Sequence, residues 1–375
     1  MKVIFIFNLA YKTPFFYELV DKLYKSGIDV VVFDFISSKK YLPDTKQIQS
    51  LNPFFGAKLI LRIKYVRRLF IPFINKQTIA KNFGKTDIVN IHYVHIDYLQ
   101  YVRKIKKKVA TLIVTFWGSD FLRANDATRL KYIPMLNECD KITMVKGIQN
   151  EFKKKYNDFD HKIKTSFFGL SQLDLIRKVD FNSIEKFKKE QSLKGGVIFI
   201  TIGYNASPAQ QHLWLIDKLN NLEYELKIKI HLLVPLSYGG DEIYIKQIIE
   251  NLEKSTIKYT CFTKYLNEED LASLRVISNI TLNIQKTDAF SGSISEYIVA
   301  KNIVLVGDWL PYEIYDDWDV KIFKAKLDDY EKKMIDIIQN YKYYYKKIEG
   351  NSKKVYSKLS WDTILPQWEK LYQDK

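Results

Sequence analysis

The sequence predicts an α/β protein made of two doubly wound, Rossmann-like domains whose parallel sheets face each other across a cleft. Two observations carry this prediction. Short runs rich in Val, Ile and Phe alternate with longer amphipathic stretches along all 375 residues, as in parallel sheets covered by helices. A polar, charged segment from Leu175 to Lys194 interrupts the series, and a second series starts at Gly196. The chain is also longer than one ordinary domain.

Each series contains several short apolar runs that predict buried strands. In the first domain these are Val3–Phe7, Asp29–Phe33, Ile88–His92, Ala110–Phe116 and Lys141–Val145. In the second they are Gly196–Ile202, Lys229–Val234, Ile257–Thr260, Ile280–Ile284 and Ile303–Val306. We place an N-terminal domain at residues 1–185 and a C-terminal domain at residues 190–350. A C-terminal helix at 351–375, with aromatic anchors, is predicted to pack back towards the N-terminal domain.

Several classes of protein are disfavoured by composition. Cys139 and Cys261 are far apart and match no metal-ligand or redox spacing, so both are predicted core residues of a protein in a reducing compartment. The apolar N-terminus MKVIFIFN is too short for a signal peptide and suits a first strand. The longest uncharged stretch, Gly195–Ile216, is broken by polar residues and is not predicted to span a membrane.

The net charge of +16 lies almost wholly in the first half of the chain. Such a field attracts nucleic acid, anionic membrane or an anionic substrate. Within it, the segment Lys58–Lys76 interleaves basic and apolar residues at roughly helical spacing. It predicts either an ordinary packed surface helix or one that lies on an anionic bilayer. The predicted membrane contacts are Arg62, Lys64, Arg67 and Arg68.

The segment Gln285–Gly307 has the pattern of a ligand-binding loop. A strand ends near Ile284, small polar residues follow, and a helix then begins. The free N–H groups and positive dipole end of such a helix suit a pyrophosphate, and a carboxylate further along suits ribose hydroxyls. The alternative is an ordinary helix N-cap followed by a solvated Glu.

The same segment resembles the acidic-x7-Glu signature of GT-B glycosyltransferases, especially the retaining family 4. Asp288 and Glu296 are separated by seven residues, although the family usually has Glu at the first position and a later Gly-Pro pair where this chain has Lys301-Asn302. The resemblance implies that Glu296 contacts the donor ribose and that Asp288 is a catalytic group near the sugar. It assigns the diphosphate to the loop Ser291, Gly292 and Ser293.

A second donor-side element follows the first strand of the second domain. The segments Gly203–His212 and Val234–Ile245 resemble the fucosaminyl transferase type of enterobacterial common antigen synthesis. The Arg and Lys pair that family 4 enzymes use on pyrophosphate is absent. The resemblance implies donor contacts from Asn205, Ser207, Gln211 and His212 to the phosphates, and from Tyr238 and Gly239 to the base or sugar. A polar helix start is the alternative.

On the acceptor side, the loop TFWGSD at Thr115–Asp120 resembles a family 4 loop that usually has His where this chain has Trp117. The implied acceptor-side residues are His92, Trp117, Gly118 and Ser119. Asp120 and His95 are the catalytic candidates beside Asp288, with structural roles as the alternative. A retaining front-face reaction needs no enzyme base, whereas an inverting one does.

Together these resemblances imply a metal-independent hexosyltransferase of bacterial surface polysaccharide synthesis, such as O-antigen or capsule. It would move a sugar from a nucleotide diphosphate, UDP first with dTDP or GDP as alternatives, to a glycan or lipid-linked acceptor. The family 4 resemblance implies retention of the anomeric configuration, whereas the fucosaminyl transferase resemblance favours inversion, so both outcomes stay open. No other cofactor is implied, and the expected location is the cytoplasmic face of the cell membrane.

Three other functions compete with this prediction. A non-catalytic GT-B adaptor would explain Trp117 and the missing Arg and Lys pair. A basic nucleic-acid-binding protein fits the charge, but no helix-turn-helix, zinc or RNP-like motif accompanies it, so no nucleic-acid partner is expected. A Rossmann oxidoreductase is disfavoured because no G-x-G-x-x-G follows either first strand.

Overall fold

A computed structural model describes residues 2–8, 13–35, 48–49 and 64–374. The chain forms two compact units. Unit 1 comprises Met1–Gly169 and Trp361–Lys375, and unit 2 comprises Leu170–Ser360. The predicted boundary at residues 185–190 therefore needs correction, as does the predicted start of the returning segment at 351. Residues 170–190 belong to unit 2 because Phe187 packs with Leu274 and Ile277 of that unit.

Unit 1 is built on a seven-stranded parallel sheet of order β3-β2-β1-β4-β5-β6-β7. Its strands are β1 (Lys2–Ile6), β2 (Asp29–Phe33), β3 (Ile48–Gln49), β4 (Ile88–His92), β5 (Thr111–Thr115), β6 (Lys141–Met144) and β7 (Ile163–Thr165). The strands predicted for the first domain are all present. The two that the sequence pattern missed, β3 and β7, are short edge strands with too few apolar residues to form a recognisable run.

Within the described residues of unit 1, helices alternate with the strands. They are α1 (Pro14–Lys25), α2 (Lys64–Asn82), α3 (Val102–Lys106), α4 (Ser119–Leu122), α5 (Asp126–Glu138), α6 (Lys146–Lys155) and the C-terminal α18 (Trp361–Gln373). Short 3₁₀ segments lie at Ile96–Tyr101 and Asn157–Lys162. Helix α18 belongs to unit 1 because Trp368 Nε1 donates to the Phe167 carbonyl oxygen (2.8 Å) and Asn90 Nδ2 donates to Tyr372 Oη (3.0 Å).

Unit 2 is built on a six-stranded parallel sheet of order β10-β9-β8-β11-β12-β13. Its strands are β8 (Ile198–Ile202), β9 (Ile230–Pro235), β10 (Lys258–Phe262), β11 (Ile280–Asn283), β12 (Ile303–Gly307) and β13 (Phe323–Ala325). Its helices are α7 (Gln172–Lys178), α8 (Phe181–Glu190), α9 (His212–Asn220), α10 (Tyr224–Lys227), α11 (Glu242–Glu253), α12 (Glu268–Ile277), α13 (Gly292–Val299), α14 (Glu313–Asp317), α15 (Leu327–Gln339), α16 (Tyr341–Lys347) and α17 (Asn351–Leu359), with a 3₁₀ turn at Pro208–Gln210.

In each sheet the strand order reverses at one position, and this is where open α/β sheets bind ligands. In unit 1 the reversal lies between β1 and β4, and in unit 2 it lies between β8 and β11. The loops that leave the carboxyl ends of those strands are therefore the places to look for function. Among the helices that the structure describes, none is both long enough and apolar enough to cross a bilayer.

Candidate functional site

The two loops at the strand reversal of unit 2 are hydrogen-bonded to each other. Gln210 Nε2 donates to Gln285 Oε1 (2.9 Å), and the Tyr204 hydroxyl donates to the same oxygen (3.0 Å). The backbone N–H of Lys286 donates to the Ala209 carbonyl oxygen (3.0 Å). The loop after β8 and the loop after β11 thus form one continuous surface at the carboxyl edge of the sheet.

Helix α13 begins in this surface. Ser291 is its N-cap, with Oγ accepting from the Ile294 N–H (3.3 Å). The N–H groups of Gly292 and Ser293, in the first turn, have no acceptor among the described residues. Unpaired N–H groups at a helix N-terminus attract anions. The structure therefore places Ser291, Gly292 and Ser293 in an arrangement suited to a phosphate.

Glu296 lies one turn further along α13 and faces a buried arginine that the sequence prediction overlooked. Arg275 Nε donates to Glu296 Oε2 (3.0 Å), and Arg275 Nη2 reaches Ser293 Oγ (3.4 Å). Glu296 Oε1 has no partner within the described part of the chain. One carboxylate oxygen is therefore anchored while the other stays available to a ligand hydroxyl.

Asp288 is held in place by a buried tyrosine. Tyr312 Oη donates to Asp288 Oδ2, and the Ala289 N–H donates to Asp288 Oδ1 (2.8 Å). Burial raises the pKa of Asp288, an effect that the hydrogen bond from Tyr312 opposes. Gln285 Nε2 also approaches Tyr312 Oη (3.4 Å), so this network joins the Asp288 carboxylate to the two hydrogen-bonded loops.

An exposed aromatic pair follows the neighbouring strands β9 and β10. The rings of Tyr238 and Tyr265 stack at a centroid distance of 5.8 Å and an angle of 10°. Tyr265 is 76% exposed and Tyr238 is 44% exposed. The Tyr238 carbonyl oxygen accepts from the Ala206 N–H (2.7 Å), which fixes this pair beside the loop after β8. Stacked, exposed tyrosines offer a flat surface to a planar ring.

The remaining donor-side candidates have local roles in the loop after β8. Asn205 Oδ1 accepts from the Ser207 N–H (2.9 Å), and Gln211 Nε2 donates to the Ile284 carbonyl oxygen. His212 is fully buried, and a Cβ atom on Gly203 would lie 2.6 Å from its Nε2. Gly203 therefore lies directly against the imidazole, and both ring nitrogens are buried without a hydrogen-bond partner among the described residues. The contact of His212 with a donor phosphate stays a prediction.

In unit 1, Asp120 is a buried anchor rather than an exposed base. Its Oδ2 accepts from the Val94 N–H (2.8 Å), and its Oδ1 accepts from the N–H groups of Trp117 (3.0 Å) and Gly118 (2.9 Å). Burial raises its pKa to about 6, against the lowering effect of these N–H groups. The carboxylate ties the loops after β4 and β5 together, which corrects its prediction as a catalytic group.

His92 lies in an aromatic cluster and cannot contact an acceptor directly, which corrects a second prediction. Its side chain is fully buried, with ring centroids 4.6 Å from Phe5 and 5.7 Å from Trp368. Trp117 Nε1 approaches His92 Nδ1 (3.4 Å), and the Trp117 ring stacks on Phe7 (5.1 Å). Trp117 thus occupies the expected loop position but points into this cluster.

The remaining candidates of unit 1, His95, Gly118 and Ser119, follow the strands β4 and β5. His95 precedes the 3₁₀ segment Ile96–Tyr101, and its Nδ1 accepts from the Asp97 N–H (3.3 Å). Gly118 has φ 119°, a left-handed conformation that favours glycine at this turn. Ser119 Oγ and Tyr93 Oη share a hydrogen bond (3.1 Å). Among the predicted bases of unit 1, His95 is the one that is partly exposed.

The burial of His92 predicts acid sensitivity. Burial lowers its pKa from 6.5 to about 3, so the stability tied to the neutral imidazole is present above pH 6.5 and is lost as the pH falls towards 3. Between pH 7 and pH 5 this term removes about 2 kcal/mol from the free energy of unfolding. His92→Phe is expected to abolish this loss, which urea titrations at pH 7 and pH 5 measure as a difference in the free energy of unfolding.

Two features make this comparison interpretable. Asp120 acts with the opposite sign, since stability from its protonated form is lost as the pH rises through about 6, but this contribution is present in both proteins. The exposed His161 supplies a control, because His161→Phe is expected to keep the wild-type pH dependence. An unchanged pH slope in His92→Phe would contradict the buried, neutral state of His92.

Three of the four predicted membrane contacts lie at the start of helix α2. Arg62 is outside the described residues. The backbones of Lys64, Arg67 and Arg68 fall in α2, but the structure does not describe their side chains. The next part of the helix has an exposed apolar face, formed by Leu69, Phe70 and Phe73. These three residues have the i, i+1, i+4 spacing of one helix side.

Within the described ranges, no group of three or more His, Cys, Asp or Glu residues is close enough to hold a metal ion. Cys139 and Cys261 are both free thiols, buried and partly buried, and burial raises the pKa of each. Their predicted place in the packed interior agrees with this arrangement.

Comparisons with known proteins define the class of fold. No protein-family model matches the chain, and no curated protein matches its sequence. Among solved structures, a glycosyltransferase from Rickettsia africae ESF-5 matches with a TM-score of 0.74 and 16% identity, covering 100% of this chain and 98% of that chain. Anabaena HepE in complex with UDP and glucose matches with a TM-score of 0.70 and 12% identity, covering 100% of both chains.

A third match is trehalose-6-phosphate synthase, in a structure that concerns glycosyl transfer with retention. Its TM-score is 0.69 at 11% identity, and the match covers 100% of this chain and 99% of that chain. Identities this low establish the fold alone. The chain therefore has the two-domain GT-B fold found in glycosyltransferases, which confirms the fold class predicted from the sequence.

Proposed function

We propose that this protein is a glycosyltransferase that binds the nucleoside diphosphate part of a sugar donor at the carboxyl edge of the unit 2 sheet. The observation that carries the proposal is the start of helix α13. Unpaired N–H groups at Gly292 and Ser293 stand one helical turn before Glu296, whose Oε1 is also unpaired. Diphosphate and ribose are the ligand groups that this pairing of donors and acceptor suits.

The remaining parts of a donor fit the surroundings of this site. The Tyr238 and Tyr265 rings supply a stacking surface for the nucleobase. Asp288, which lies in the loop between β11 and α13 and is held there by Tyr312, is the residue that we propose to face the sugar. UDP is the first candidate because Anabaena HepE, of the same fold, was solved with UDP and glucose. We propose dTDP and GDP as the alternatives, and binding that requires no metal.

We infer that transfer retains the anomeric configuration. Asp120 is occupied by three backbone N–H groups, and His92 is enclosed by aromatic rings, so neither is placed to remove a proton. The third predicted base, His95, already accepts from the Asp97 N–H at Nδ1. In a front-face reaction the acceptor oxygen bonds to the anomeric carbon as the bond to the diphosphate breaks. The acceptor proton passes to the departing diphosphate oxygen, and the enzyme stabilises the charge that develops there.

The direct experiment is a thermal-shift series with UDP, dTDP, GDP and their sugar derivatives in the presence of EDTA. A ligand at a hundredfold excess over its Kd stabilises the folded state by about 2.7 kcal/mol, so the melting temperature is expected to rise with at least one of them. A protein that responds to none of these ligands would be a GT-B adaptor. Tighter binding to RNA or DNA than to any nucleotide would instead indicate the nucleic-acid function.

We further propose that the acceptor is glycan or lipid-linked, in bacterial surface polysaccharide synthesis at the cytoplasmic face of the membrane. Three features support this proposal: the positive charge of the first half of the chain, the resemblance of the donor segments to the fucosaminyl transferase type, and the exposed apolar residues of helix α2. On α2, Leu69, Phe70 and Phe73 are exposed next to Arg67 and Arg68 in the sequence. Apolar side chains bordered by cations suit an anionic bilayer surface.

Liposome flotation tests this surface. Wild-type protein is expected to float with vesicles containing phosphatidylglycerol, and Leu69→Ser/Phe73→Ser to lose most of that binding, because the apolar contacts contribute about 0.8 kcal/mol per buried methylene. Leu130→Ser removes another exposed leucine of unit 1, away from α2, and is expected to float like wild type. Equal flotation of all three proteins would argue against α2 as the membrane contact.

A further inference from the structure

Arg275 is a buried cation at the donor site, and the hydrogen-bond partners of its side chain all lie on one neighbouring helix, α13. Its side chain is 3% exposed and projects from the last turn of α12. Nε donates to Glu296 Oε2 (3.0 Å), Nη2 approaches Ser293 Oγ (3.4 Å), and Nη1 donates to Tyr297 Oη. The guanidinium thus contacts two of the residues that we propose to face the ligand, Ser293 and Glu296, and also contacts Tyr297.

The surroundings leave this guanidinium little freedom to move. Its carbon lies 4.2 Å from the centre of the Tyr297 ring, a cation–π distance. The Arg275 carbonyl oxygen accepts from Asn302 Nδ2 (2.9 Å), which fixes the backbone as well. A buried charge is costly unless it is fully paired, so a planar group with this many partners has a determined orientation.

We propose that Arg275 is a positioning residue that couples the ribose and diphosphate parts of the donor site. It fixes the Glu296 carboxylate, whose free Oε1 accepts from ribose hydroxyls. It also fixes Ser293, whose N–H group is one of the unpaired donors for the diphosphate. This inference rests on the proposed function. It adds that recognition of the two ligand parts depends on one guanidinium that touches neither of them.

The test compares three ligands, UDP, UMP and 2′,3′-dideoxy-UDP, by calorimetric titration. Arg275→Lys keeps the charge but lacks the planar fork, so it cannot hold Glu296 and Ser293 together. Tyr297→Phe is the milder variant, in case the lysine protein folds poorly, since it removes a hydroxyl that orients the guanidinium. Tyr330→Phe is the matched control, because Tyr330 Oη donates to the Leu305 carbonyl oxygen in the same unit, away from Arg275.

Wild-type protein is expected to prefer UDP over 2′,3′-dideoxy-UDP by about tenfold or more, as for hydrogen bonds to a charged acceptor. Arg275→Lys is expected to reduce this preference, and also the preference for UDP over UMP, to about twofold or less. Tyr297→Phe is expected to lower both preferences by about threefold, with Tyr330→Phe unchanged. Loss of both preferences together is the signature of coupling.

Other results separate this inference from the proposed function. If the Arg275 and Tyr297 variants weaken all three ligands by one common factor, or by none, the positioning role is wrong while nucleotide binding stands. The same holds if wild-type protein binds UDP and 2′,3′-dideoxy-UDP equally. If wild-type protein binds none of the three ligands and no other nucleoside diphosphate, both proposals fail.

Discussion

Replacing Asp120 by Ala is expected to destabilise unit 1 by about 3 to 5 kcal/mol. The substitution leaves the N–H groups of Val94, Trp117 and Gly118 without their acceptor. An unsatisfied buried donor costs about 1 to 3 kcal/mol, and these three donors share one ionised partner. The expected observation is a fall in the urea midpoint of unfolding, followed by tryptophan fluorescence at pH 7.

Asp126→Ala is the matched control for this change. The Asp126 carboxylate is exposed and pairs with Lys155 (2.8 Å), an arrangement that contributes little to stability. Its unfolding midpoint should stay close to that of wild type. If Asp120→Ala is as stable as the control and only transfer activity is lost, Asp120 is a catalytic group and its description as an anchor is wrong.

Glu296→Gln is expected to raise the Kd for UDP about 10- to 100-fold. The amide keeps an oxygen for the Arg275 Nε–H but removes the charge that strengthens hydrogen bonds from ribose hydroxyls. The same change leaves Arg275 buried without a counter-charge, so the variant is also expected to be less stable. Titrations should therefore be done well below its melting temperature.

Glu313→Gln controls for the loss of one negative charge in unit 2, because Glu313 is exposed on the short helix α14. Its affinity for UDP is expected to equal that of wild type. A folded Glu296→Gln protein that binds UDP within twofold of wild type would remove Glu296 from the donor site. The phosphate part of the site would then have to be tested separately, with UDP compared against uridine.

Most of the fold could be predicted because its strands are buried on both faces. Such strands are continuous apolar runs, and Ile303–Gly307 and Ile230–Pro235 are buried along their whole length. The boundary could not be placed correctly, because helix α8 is charged on its surface and contributes essentially Phe187 to the core of unit 2. One buried apolar residue in a polar segment does not form a sequence pattern that predicts which domain the segment belongs to.

The local part of the donor site was predictable for a similar reason. Ser291 to Glu296 are contiguous, so their spacing already places N-cap, free N–H groups and carboxylate on one helix. Lys301 stands where the family 4 signature usually has glycine. It has φ 66°, the left-handed conformation that glycine favours after a helix, so the backbone keeps its turn despite the substitution.

Contacts between distant segments were beyond the sequence pattern. Arg275 reaches Glu296 from a different helix, and the only local signal was one cation within the apolar run around Leu274 and Ile277. Tyr265 stacks on Tyr238 across two strands. His92 and Asp120 failed as site residues for the opposite reason: polar residues next to a strand end are read as exposed, but the fold encloses both.

Hydrogen–deuterium exchange with and without UDP locates the bound nucleotide on the full chain. We expect slower exchange at the start of α13, residues 291–296, and in the loop 203–212, by about tenfold or more at saturation. Unit 1 should be unaffected at β6 and α5. Protection restricted to unit 1, or absent from residues 291–296 while UDP is bound, would contradict the placement of the donor in unit 2.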